Sequence, residues 1–251
     1  MILGLIRRLK GGVVMPNIIM ADAGGYTAND WFDLTKPVGA LSYSGTSIPD
    51  GVLFSNHTGI TKMDIKNVTV IPENFCKGCS ALEDVELNAN LTKINTNAFW
   101  GTSSLKKSIF VPGATLTTAV FGSSGITAIV CKGALGSQSY ALKDCPNLEA
   151  VDMIDATNTG SRTFQNSGKL STLILRGSSV ASLPGVDSLY GTPFASGKSG
   201  GTLYVPSALI ASYQSASYWS TILGYPNNRI VAIEGSIYET HYADGTPIPS
   251  A

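Results

Sequence analysis

Six short lines of the sequence carry one apolar pattern at one period. ITKMDI begins at Ile60, LEDVEL at Leu82, LKKSIF at Leu105, ITAIVC at Ile126, LEAVDM at Leu148 and LSTLIL at Leu170. The spacings are 22, 23, 21, 22 and 22 residues, and each line reads L-x-x-L-x-L or nearly so. The exception is Ser108, which falls where the second apolar residue of its line belongs. A weaker copy, VGALSYSG, starts near Val38, and two strand-like segments, TLYVP (202–206) and RIVAIEG (229–235), follow after longer insertions. A fixed period of this length constrains the fold more than any local propensity. Each unit is one supersecondary element that cannot bury its apolar side chains alone, so neighbouring units must stack.

The second half of each unit also lines up. IPENFCKGCSA, INTNAFWGTSS, SYALKDCPN and RTFQNSGK each place an aromatic residue three to five positions before a small polar residue or cysteine. The expected aromatic column is Phe75, Phe99, Phe121, Tyr140 and Phe164, and the expected small column is Cys79, Thr102, Ser123, Cys145 and Ser167. One unit is then a short strand, a turn and a return segment. The predicted fold class is a repeat solenoid, leucine-rich-repeat-like, with a parallel β-sheet and coils of about 22 residues. Adjacent strands lie about 4.8 Å apart, so eight or so coils would give a sheet roughly 35–40 Å long.

The unit L-x-x-I-x-I-P…I-x-x-x-A-F-x-x-C-x-x-L resembles the BspA-like leucine-rich repeats of bacterial surface proteins. INTNAFWGTSSL (94–105) and IPENFCKGCSAL (71–82) are the best matches, and the resemblance covers about residues 45–235. The C-terminal piece is similar to the closing element of such arrays: a strand, a short capping helix at about 206–223 and a last strand. The return segments at 111–125 and 154–169 depart from the unit by losing its Ile and Ala. The resemblance implies adhesion to host surfaces or proteins.

Composition narrows the function further. Charged residues make up 14% of 251 residues and the formal net charge is zero, which leaves no basic stripe for nucleic acid. No segment approaches the roughly 18–20 apolar residues of a membrane span. The start, MILGLIRRLKGGVVMPNIIMADAGG, has a basic patch and an Ala21-Asp22-Ala23 that mimics a cleavage site, but Pro16 and Asn17 break its apolar stretch.

Cys76-Lys77-Gly78-Cys79 is a CxxC. A structural zinc site needs four ligands; no second CxxC exists, and the histidines are His57 and His241. Cys79 and Cys145 fall in the small column, and Cys131 ends its strand in step with Ile65, Leu87 and Leu175. Cys76 alone is off the pattern. The readings are coincidence first, then a Cys76–Cys79 disulfide, then a metal or redox pair. Gly197-Lys198-Ser199-Gly200-Gly201 fits G-x-S-x-G, but a nucleophile elbow needs a strand before it and a helix after it. No catalytic residue, cofactor or metal is assigned, and an enzyme built on Ser199 or Cys76 stands only as a third reading.

Strand positions between the core residues should face the open side of the sheet. The candidate partner-binding surface is Lys62, Asp64, Glu86, Ile109, Val130, Asp152, Ile174 and Tyr204, where apolar residues interrupt a charged face. Residues 1–37 form an expected N-terminal attachment or capping segment, with Ile2, Leu5, Ile6 and Leu9 on one face of a short helix and Trp31 and Phe32 beyond it. Residues 38–235 form the solenoid, and 236–251 an extended tail that could lie on a neighbour. The expected function is a non-enzymatic binding or assembly protein with protein partners, virion neighbours or a host surface molecule. Its expected setting is a phage virion, as a tail, baseplate or fibre component. The alternative is a secreted or cell-surface bacterial adhesin.

Overall fold

The computed structural model describes residues 18–20, 39–43, 45–48, 53–134, 140–223 and 229–250. The proposed attachment residues Ile2, Leu5, Ile6, Leu9, Trp31 and Phe32 lie outside them, as does Val38.

The chain winds as a parallel β-solenoid with about six regular coils of about 22 residues, against the eight or so expected. One wall carries two sheets. The first has the order β1 (Ile18–Met20), β2 (Gly39–Tyr43), β3 (Ile60–Ile65), β5 (Asp84–Leu87). The second runs β13 (Ile230–Ala232), β12 (Thr202–Val205), β11 (Thr172–Arg176), β10 (Ala150–Asn158), β9 (Ala128–Ala134), β7 (Ser108–Val111). All pairs are parallel. Three two-residue strands, β4 (Val70–Ile71), β6 (Lys93–Ile94) and β8 (Thr115–Leu116), make a narrow third sheet after the turn.

The wall breaks between β5 and β7 because the Leu105 line carries one extra residue. Other lines place their inward residues three and five positions after the first, as Leu82, Val85 and Leu87 do. Here they are Leu105, Ile109 and Val111, with Ile109 in register with Ile129 and Val111 with Cys131. A one-residue slip sends each side chain to the opposite face. Ile109 is therefore a core residue, 2% exposed, rather than the surface residue expected, and Phe110 takes the outward position. Lys107 closes the break: its ammonium donates to Asp84 Oδ1 at 2.5 Å and to the Val85 carbonyl at 3.1 Å.

Inside, Ile109, Ile129, Val151, Leu173, Leu203 and Ile230 form one inward column. A strand with one face against a core alternates, as β3 does, whereas β9 and β11 carry apolar residues on both faces.

The return segments are held by a backbone ladder from coil to coil. Cys76 N–H donates to Ala98 O, Phe99 N–H to Val120 O, Phe121 N–H to Ala141 O, Leu142 N–H to Thr163 O and Phe164 N–H to Ser188 O. That ladder aligns Phe54, Cys76, Phe99, Phe121, Leu142, Phe164 and Leu189. Two column assignments change as a result. Leu142 replaces Tyr140, which is half-buried with φ 40°. Cys76 replaces Phe75, which takes the site that Ala98 has one coil on. Phe75 and Cys76 have exchanged large and small side chains, and both are fully buried. The ring stack survives: Phe75 meets Phe54 edge-on at 5.3 Å and Phe99 at 6.5 Å, and Phe99 stacks on Phe121 at 5.3 Å.

Each return turn also needs left-handed backbone. Asn74, Asn97, Ala119, Tyr140 and Arg162 share one such site, and Asn56, Gly78, Gly101, Ser123, Asp144, Asn166 and Gly191 the next. Asn, Asp and Gly tolerate that conformation best. At Gly78 a Cβ would in addition strike the Asn56 side chain.

Beyond β12 the cap is not one helix but a 3₁₀ turn (Ser207–Leu209), α1 (Ile210–Ser215) and α2 (Trp219–Leu223), broken at Tyr218, φ 63°. Tyr213 and Trp219 anchor it: Ala181 N–H donates to Tyr213 Oη and Trp219 Nε1–H to Ala181 O, both at 2.8 Å.

Candidate interaction surfaces

The small column is a structural ladder. In the turn three residues after the ring column, His57, Cys79, Thr102, Ser124, Ser167 and Thr192 each donate N–H to the ring-column carbonyl of their own coil, whereas Cys145 N–H donates to Ser167 Oγ of the next coil at 3.1 Å. Ser124, not Ser123, therefore belongs to it. Their side chains bond carbonyls nearby: Cys79 Sγ to Phe54 O, Cys145 Sγ to Phe121 O, Ser167 Oγ to Leu142 O and Thr102 Oγ1 to Phe99 O. All four cysteines are free and buried. Burial pushes the Cys76 thiol well above its ordinary value, Cys131 to about 12 and Cys145 to about 11. A thiolate is the reactive and metal-binding form, so these thiols are packing and hydrogen-bonding groups. The CxxC is two adjacent positions of the stack, without a disulfide. Among the described residues no group of three or more His, Cys, Asp or Glu is placed to hold a metal. Ser199 is exposed in a coil that leads into β12, so no helix follows it.

The eight candidate surface residues divide into three sets. Lys62, Asp64 and Glu86 face outward on β3 and β5, Lys62 and Glu86 in the open and Asp64 half-buried with its carboxylate 3.0 Å from Lys66 Nζ. Asp84 is their hub: Lys62 Nζ lies 2.8 Å from Asp84 Oδ2 and 4.0 Å from Glu86, while Lys107 Nζ lies 2.5 Å from Asp84 Oδ1 and 3.9 Å from Glu86. Burial pushes the Asp84 carboxyl up, but Lys107 and Lys62 outweigh it and hold it below the usual range. The hydrogen bond to Asp84 raises Lys62 in turn. Lys62 and Glu86 remain about half exposed, at 49% and 50% of their side chains.

Ile109 belongs to the core. Val130, Asp152, Ile174 and Tyr204 do face outward, in one register row with Phe110 and Val231. They are nonetheless covered: Val130, Asp152 and Ile174 are 0% exposed. The cover is the C-terminal segment. It is not extended but turns back as a hairpin, with Tyr242 N–H donating to Thr246 O and Ile248 N–H to Thr240 O around the Asp244-Gly245 turn. Tyr242 packs edge-on against Phe110 at 5.3 Å, and Tyr238 against Tyr204 at 4.7 Å. Ala243 N–H donates to Asp152 Oδ2 at 3.1 Å. Val130 and Ile174 sit between residues that the hairpin touches, which accounts for their burial.

Arg176 holds the centre. Its Nε and Nη2 donate to Asp152 Oδ1 and Oδ2 at 2.8 and 2.9 Å. Nη1 and Nη2 also donate to the Tyr238 and His241 carbonyls at 2.8 and 2.9 Å, and the guanidinium lies 5.4 Å from the Tyr242 ring centre. Burial raises the Asp152 carboxyl above its ordinary range and outweighs the opposing pull of Arg176. Arg176 is an expected outward strand position outside the candidate binding set, and Phe110, Tyr238 and Tyr242 were not among the expected surface residues. The signals were present: an extra residue after Leu105, an outward Arg at the end of LILR, and two tyrosines flanking a D-G turn.

The architecture and the repeat define a leucine-rich-repeat solenoid. The BspA type Leucine rich repeat region matches residues 41–127 and 69–185, in six copies. The chain belongs to that family. Among solved structures it is similar to the leucine-rich-repeat protein of T. pallidum, with 19% identity and a TM-score of 0.44 over 74% of this chain and 84% of that one. No curated protein matches it. No helix among the described residues is long and apolar enough to cross a membrane.

Proposed function

We propose that the chain is a non-enzymatic protein-binding module, secreted or displayed on a bacterial surface, and that it meets its partner through the outward face of the solenoid. The supporting observation is the open charged face of the first sheet. Lys62, Asp64 and Glu86 stand there on a parallel ladder and Lys107 reaches Asp84 from the next coil, with both signs interspersed. Such a face gives orientation and selectivity to a protein contact more than raw affinity. Family membership favours this setting. Nothing in the family match supports a virion role.

Binding of labelled protein to bacterial and mammalian epithelial cells, with and without protease stripping of the cell surface, tests the reading. Saturable binding to epithelial cells that stripping removes supports a host-protein adhesin. Binding indifferent to stripping on every cell type overturns it.

A further inference from the structure

The hairpin covers the second sheet without belonging to the core. No residue from Ser236 to Ser250 is fully buried, whereas Val130, Asp152 and Ile174 beneath it are. Its contacts divide into two kinds. Arg176 and Asp152 read backbone: two carbonyls, of Tyr238 and His241, and the N–H of Ala243. Phe110 and Tyr204 read two aromatic rings, Tyr242 and Tyr238, four residues apart. The connection is Gly235, at φ 79° with open space around its Cα. Its anchors there are local: Ser236 N–H and Oγ both donate to Ile233 O, Gly235 N–H to Glu239 Oε2 and Tyr238 N–H to Ser236 Oγ.

Buried apolar side chains around a largely desolvated, hydrogen-bonded ion pair, ringed by aromatics, are the composition of an interface centre. We propose that the outward face of β7, β9, β10, β11 and β12 is a recognition site for a tyrosine-bearing turn, and that the C-terminal hairpin occupies it as an intramolecular stand-in. The partner is a protein segment of the hairpin's own chemistry: two aromatic side chains on one turn, with two carbonyls free to accept from Arg176. Binding there proceeds by exchange, the hairpin swinging out at Gly235. This deepens the protein-binding reading by naming a second face and its ligand class. The test below needs no outside partner, so its failure leaves that reading standing.

The probe is a synthetic peptide of residues 236–250. A tethered segment competes at an effective concentration of about millimolar, so the peptide should bind wild type poorly. It should bind the full-length Tyr238→Ala/Tyr242→Ala variant, whose own hairpin is released, about tenfold tighter or more. Adding Ile174→Asp to that variant should abolish binding. Native-state hydrogen exchange on wild type gives an independent check. The Ala243 amide should exchange by local opening, far faster than the amides of β10. Equal peptide binding to wild type and the released variant, or Ala243 exchange only through global unfolding, overturns the proposal.

Discussion

Arg176 reaches Asp152 across neighbouring strands, two residues beyond the in-register partner Ile174, and closes a two-pronged ion pair under the C-terminal hairpin. Asp152 is wholly buried and the Arg176 side chain is 14% exposed. Removing one member of a buried pair strands the other charge, at a cost of about 3–5 kcal/mol. Arg176→Met should therefore lower stability by about that amount in urea titrations, and Asp152→Leu/Arg176→Met should recover most of it. Equal losses in the single and double variants would contradict the geometry.

The exchange of Phe75 and Cys76 predicts a strong coupling. Phe75→Ala should cost about 3–5 kcal/mol by leaving a cavity. Cys76→Phe should cost about 1–3 kcal/mol by overpacking. The double variant restores the Ala-Phe order of residues 98–99 and should be more stable than either single change, which a double-mutant cycle would show. Simple addition of the two losses would mean that the sites are independent.

His57 is 1% exposed, and its Nδ1 accepts from Gly59 N–H at 3.2 Å. Burial lowers its pKa below the ordinary 6.5. The unfolded chain therefore takes up a proton first as pH falls below 6.5, and stability drops with pH until the folded-state value is passed. Urea midpoints at neutral and mildly acid pH should fall for wild type and fall less for His57→Gln. An unchanged pH dependence in the variant would remove His57 from the account.

The buried thiols give a chemical prediction. Native protein at mildly alkaline pH should react slowly with a thiol reagent at all four cysteines, and denatured protein should react at once. A fast-reacting Cys76 in the native state would reopen the redox reading.

The period, the inward columns and most strand faces were legible because a stacked unit must repeat its packing. Leu, Ile and Val at fixed offsets admit one face inward, and the structure places them so. Ile109 was misplaced because Lys106, Lys107 and Ser108 are all polar, so the sequence does not mark which of them is extra. Phe75 and Cys76 were misaligned because two adjacent buried sites can trade volumes and keep the core full. The candidate face was legible as a register row but not as a covered one. Tyr238 and Tyr242 lie outside the repeat, and no period ties them to Asp152 or Arg176.

The outward face as the contact surface is tested most directly by replacing Lys62 and Glu86 with alanine. Both are half exposed, and such surface changes shift stability by only about 0.5 kcal/mol. Cell-binding isotherms of this variant are compared with those of Lys169→Ala, an exposed control on a return segment. Weaker binding in the Lys62→Ala/Glu86→Ala variant, with the control unchanged, is the predicted result. Unchanged binding in the pair, with loss in the control, would place the contact on the opposite side of the solenoid and contradict the account.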